Sequence, residues 1–169
     1  LEQSTLDYVA DVEKTVRYYG EGETAVIERA LREGKAFLDA FVVQEQLVLS
    51  FNRATRGPRL RAIYPAEGTL WKDHPIALVE HAGLTADERQ AFQVLRDHFV
   101  SRESQLLVLA QGYRPVDLSI ELEAAGSPFL IDGGVDVREP QTTLQIPSAS
   151  VIEIVREAWQ FTKRLTNVY

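Results

Sequence analysis

Apolar residues at Leu6, Val9, Val12, Val16 and Tyr19 recur every three or four positions, which places them on one face of a helix over residues 6–19. Gly20 and Gly22 end that pattern. A second, shorter helix follows over 24–32, with Ala25, Val26, Ala30 and Leu31 in register and Gly34 as its stop. The pattern then changes. Residues 39–43 (DAFVV) form a short apolar run with the content of a buried strand, 59–64 (RLRAIY) alternate polar and apolar until Pro65, and 75–80 (PIALVE) make a third strand candidate. Between the first two, 47–52 winds into a helix, although LVLSF also reads as strand.

Thr85 with Glu88 three residues on is a capping-box signature, and Phe92, Leu95 and Phe99 continue a helix from it. Ser101 opens another through Leu106, Leu107 and Leu109 to Gly112. Residues 116–143 are turn-rich, with Gly126-Ser127-Pro128 and Asp132-Gly133-Gly134, and support no assigned element. Ile146-Pro147-Ser148 announces a last helix with Val151, Ile154, Val155, Ala158 and Phe161 on one face and Trp159 beside it. Strands alternating with helices predict an α/β layered fold. No internal repeat or low-complexity tract interrupts it.

At 169 residues, with 45% apolar and 25% charged positions, the chain is long enough for one globular domain or slightly more. Acidic residues outnumber basic ones 25 to 18, and the basic ones read as scattered, which argues against a nucleic-acid partner. The absence of cysteine excludes disulfides, thiolate metal sites and cysteine nucleophiles, and says nothing of redox compartment. No apolar run reaches the roughly 20 residues that span a bilayer. The chain begins at Leu1 and contains no methionine, which suggests a processed product or an excised piece.

His74, His81 and His98 lack ligand partners at metal-site spacing, and no phosphate-binding loop or nucleophile elbow is present. A triad of Ser50, His74 and Asp73 fails because adjacent side chains on an extended segment face opposite ways. Glu45 and Glu67 each follow an apolar strand, so both would stand at the sheet edge where open α/β folds bind ligands. Such a pair does acid/base work in glycoside hydrolysis; the competing reading is that both are solvated or cap helices. Trp71 and Tyr113 are candidate rim or core rings.

The run PIALVEHAGLTADERQAFQVLRDHFVSRESQLLVLAQGYRP resembles a segment of bacterial ABC-transporter extracellular solute-binding proteins, in which a crossover strand, a helix, a Ser-x-Glu-x-Gln step and a helix ending in Gly-Tyr-Arg-Pro follow in order. Here those positions are Ser101, Glu103, Gln105, Gly112, Tyr113, Arg114 and Pro115. GKAFLDAFVVQEQLVLSFN and YPAEGTLWKDHP are similar to the strand elements upstream, in the branch associated with von Willebrand factor A modules. The likeness covers 34–115 and, more weakly, 147–161.

The resemblance implies a periplasmic-binding-protein type II-like architecture, with 1–75 belonging to the second lobe and 76–169 to the first. Intact members of that family are about twice as long, so the chain would be a fragment of the fold. It implies no catalysis and no cofactor, but capture of a small polar solute outside the cytoplasm by Gln44, Glu45, Glu67, Gly68, Thr69 and Trp71, the last four on a loop whose backbone N–H groups would face the ligand. A transporter permease or a von Willebrand factor A module would be the partner, with anchoring through a segment outside this sequence. The alternative is a scaffold beside an adhesive module, and a hydrolase using Glu45 and Glu67 comes third. Uncovered apolar positions at Val42, Ile63, Ile76 and Leu78 predict a homo-oligomer, the alternative being that residues 116–143 fold back as extra strands and close the sheet within one chain.

Overall fold

The computed structural model describes residues 2–57, 59–130, 132–138 and 142–166. Among these residues there are six helices: α1 (Gln3–Thr15), α2 (Glu23–Glu33), α3 (Glu45–Ala54), α4 (Ala86–Val100), α5 (Arg102–Ala110) and α6 (Ala149–Thr166). They fall into two compact units, one of Leu1–Val42 with Leu144–Tyr169 and one of Val43–Thr143. No helix among the described residues is long and apolar enough to cross a membrane.

The α/β layered sheet expected from the sequence is not formed. Among the described residues the only β pairing is one isolated parallel bridge between Thr69 and Thr143. Residues 39–43, 59–64 and 75–80 run without helix, as their β-branched and aromatic content favours, but none acquires a ladder partner. A periplasmic-binding-protein-like α/β description therefore does not fit this chain. The sequence pattern specifies an extended backbone; a sheet also requires another strand to accept its N–H and C=O groups.

In the first unit, α1 packs against α6. α1 stops at Thr15, short of the expected Tyr19, because Tyr19 turns back to donate its hydroxyl to Glu13 on the helix's inner face. Glu13 is buried, and the indole of Trp159 on α6 donates to the same carboxylate oxygen at 2.7 Å. Trp159 thus packs inward while Phe161, expected on the buried face, is exposed. Gly22 and Gly34 bound α2 at φ 93° and 75°, where only glycine is unstrained. The Arg29 guanidinium lies 4.3 Å from the Tyr18 ring centre and 4.6 Å from that of Phe37.

In the second unit, the core is Leu49 of α3, Leu109 of α5, and Ile120 and Phe129 of the turn-rich segment. That segment folds as successive four-residue turns, with N–H to C=O bonds from Ile120 to Asp117, Ala124 to Glu121 and Ser127 to Ala124. It adds no strands, and it closes the core with side chains; Ile131 and residues 139–141 within it lie outside the described residues. Thr85 and Glu88 form both halves of the capping box on α4, and Ser101 caps α5. Gln105 is buried, donating to Phe99 O at 2.8 Å and accepting from Val116 N–H at 2.8 Å. It joins the chain on both sides of α5.

Candidate functional site

The side chains that hold the extended segments in place converge inside the second unit. Asn52, on the last turn of α3, is buried and fully used. Its amide donates to Leu60 O and Gly133 O at 2.8 Å each, and its oxygen accepts from Leu60 N–H at 2.8 Å. Ala62 N–H then donates to Gly134 O at 2.7 Å. Residues 59–64 thus find in an asparagine and a glycine-rich turn the partners that a neighbouring strand would otherwise supply. Gly134 sits at φ 90°, and a Cβ there would collide with the Asn52 amide and Leu60 O.

Four residues further, the Tyr64 hydroxyl donates to Glu45, the first residue of α3. Arg114 grips the same carboxylate with two parallel bonds, Nε to Oε2 at 2.8 Å and Nη2 to Oε1 at 2.9 Å. Its remaining reach goes to Asp136 O at 2.6 Å and Val137 O at 3.2 Å. The pair is largely sheltered, with side-chain exposures of 13% for Arg114 and 20% for Glu45. The guanidinium carbon is 5.5 Å from the Trp71 ring centre and 5.3 Å from that of Phe129. Burial, and then the bond to Glu45, push the Tyr64 phenol well above its usual range. For Arg114, burial pulls downward and the Glu45 carboxylate more than offsets it, leaving a net rise.

The expected ligand residues are distributed as follows. Glu45 and Trp71 come together around Arg114, and Gln44 precedes Glu45 as the N-cap residue of α3. Glu67 is exposed, with no polar partner among the described residues. The backbone donors expected to face a ligand are already engaged: Gly68 N–H bonds Pro65 O at 3.1 Å and Thr69 N–H bonds Thr142 O at 3.1 Å. The Trp71 indole N–H donates to Thr143 Oγ1 at 3.2 Å. Glu45 has both oxygens committed, so it is not a free acid or base. Ser50 accepts from Gln46, and His74 meets Tyr113 edge-on at 5.3 Å, which leaves the triad without geometry. No group of three His, Cys, Asp or Glu among the described residues could hold a metal ion.

An open cavity of about 390 Å³ adjoins this cluster, lined by Arg61, Tyr64, Asp136 and Arg138 among others. Arg138 is tied to Asp136 at 3.1 Å, whereas Arg61 has no polar partner among the described residues. The reading of basic residues as scattered is corrected here: Arg53, Arg56, Arg59 and Arg61 lie in a stretch with no acid between Glu45 and Glu67. Whole-chain charge hides that run. No protein-family model matches the chain, and no curated protein or solved structure shows significant similarity to it.

Proposed function

We propose that the chain is a non-catalytic binding module for a small polar solute, acting outside the cytoplasm in ABC-type uptake as the resemblance of residues 34–115 implies. The observation that carries the ligand reading is the cavity beside the Arg114 clasp, where Arg61, with no polar partner among the described residues, and the Arg138–Asp136 pair offer both donors and acceptors. Arg114 and Glu45 shape that wall and are not themselves the ligand groups. The ligand residues become Arg61, Tyr64, Asp136 and Arg138. A thermal-shift screen of sugars, amino acids, polyamines and oxyanions tests it, because a ligand that binds only the folded state raises the melting temperature. At least one class should shift the wild type and lose most of that shift in Arg61→Ala. Silence from every class would contradict the solute reading.

A second reading, a scaffold that binds no solute, is favoured by one feature. Val42 and Ile146 in one unit, and Ile63, Val79 and Leu118 in the other, are 75% exposed or more. Isolated exposed apolar residues are ordinary, but these lie in stretches that have neither helix nor a ladder partner among the described residues, the kind of edge that pairs with another chain. The occupant is then a second copy of the chain. Light scattering over a dilution series should give a mass above that of one chain; a single-chain mass at high micromolar concentration would remove this reading.

A further inference from the structure

The second unit contains another cavity, of about 470 Å³, whose chemistry differs from the one beside Arg114. Three arginines line it, Arg53 in the last turn of α3, Arg56 just beyond that helix and Arg59 at the start of the extended segment, with Ser127 and Asp132 among the remaining walls. Their commitments are unequal. Arg59 donates to Asp132 O at 2.8 Å and faces the Asp132 carboxylate at 3.6 Å. Arg53 makes one long bond, to Ala110 O at 3.3 Å, and its place in the last turn suits the negative end of the helix. Arg56 has no polar partner among the described residues. One acid and three arginines therefore line the cavity, in a chain whose net charge is -7.

We propose that this cavity is a binding site for a small, doubly charged oxyanion of the phosphate type. Three like charges around one concavity repel each other, and a dianion cancels the excess that Asp132 leaves. Guanidinium forks match tetrahedral oxyanions with paired N–H donors, which ammonium groups do not. Arg56 is the principal ligand, Arg53 swings from its long bond to join it, and Asp132 competes with the anion for Arg59. The site is independent of the cavity lined by Arg61, and it stands or falls apart from that reading.

Calorimetric titration at low salt, with inorganic phosphate, phenyl phosphate and malonate as separate probes, tests the proposal. Phosphate should bind and weaken as salt rises. Preference for phenyl phosphate would identify an ester as the natural form, and preference for inorganic phosphate the free ion. Arg56→Gln should lower affinity about tenfold or more, the loss of a charge-assisted bond. Since Arg56 holds nothing in the fold, its helical circular dichroism and melting temperature should match the wild type. Asp132→Asn should tighten binding, and Arg17→Gln, an exposed position outside both cavities, should leave it unchanged. No heat from any probe, a tighter fit to malonate than to either phosphate, or equal losses in Arg56→Gln and Arg17→Gln, would overturn the assignment.

Discussion

The two compact units solve the same backbone problem by different means. In the unit of Leu1–Val42 and Leu144–Tyr169, helices satisfy their own N–H and C=O groups, so the buried polar cluster of Glu13, Tyr19 and Trp159 serves only to lock α1 to α6. In Val43–Thr143, long stretches have no helix and no sheet among the described residues, and buried or sheltered side chains provide backbone partners: Asn52 for residue 60 and the 133 turn, Gln105 for Val116 and the end of α4, Arg114 for Asp136 and Val137. Polar side chains are accessories in the first and framework in the second. Truncating them should therefore cost much more in the second.

The largest effect is expected at Arg114. Replacing it with alanine strands Glu45 in a sheltered place, opens two carbonyls and removes the cation between Trp71 and Phe129, and should destabilise by about 4 kcal/mol. Urea unfolding of Arg114→Ala measures this. Asn52→Ala comes next, because Leu60 N–H and two carbonyls lose their partner together; about 3 kcal/mol is expected by the same method. Trp159→Phe keeps an aromatic ring and removes the indole N–H that Glu13 and the Tyr19 hydroxyl share, so about 1 kcal/mol should be lost. A cost at Trp159 equal to that at Asn52 would erase the contrast between the units.

The smallest effect at neutral pH is expected for Tyr64→Phe, and its pH course is the informative part. The folded Tyr64 pKa lies above the unfolded value of 10.0, so the contribution of the phenol is complete below pH 10 and is lost as pH rises toward the folded pKa. The wild type should therefore lose its advantage over Tyr64→Phe in alkaline solution. A gap that stays constant from pH 8 to pH 11 would contradict the buried, carboxylate-bonded phenol.

What the sequence discloses follows the same division. Helices carry local signatures: the Thr85 and Glu88 box, the Ser101 cap, Gly22 and Gly34 around α2. Strand-like runs disclose only an extended backbone, since pairing depends on a partner that the run does not encode, and that is why the sheet was expected and is not formed. Asn52 meets its partner Gly133 across 81 positions, and Arg114 meets Glu45 across 69, separations at which no spacing rule operates. The residues that carry the family resemblance have structural tasks here: Ser101 caps, Gln105 braces, Gly112 turns at φ 90° and Arg114 clasps. Of the candidate site, Glu45 and Trp71 were legible as residues near one another, and their meeting through Arg114 was not. The acid-free arginine run was open to reading but is masked by the whole-chain balance of 25 acids to 18 bases.

Amide hydrogen exchange resolved by residue tests most directly whether side-chain clasps stand in for a sheet. Leu60 and Ala62 N–H, bonded to Asn52 and Gly134, should exchange slowly, while the amides of 76–80, which bond no backbone group among the described residues, should exchange nearly as fast as in an unfolded chain. Asn52→Ala should release Leu60 before the helices open. Slow exchange at alternate residues throughout both 59–64 and 76–80, unchanged in Asn52→Ala, would reveal strand ladders and contradict the account.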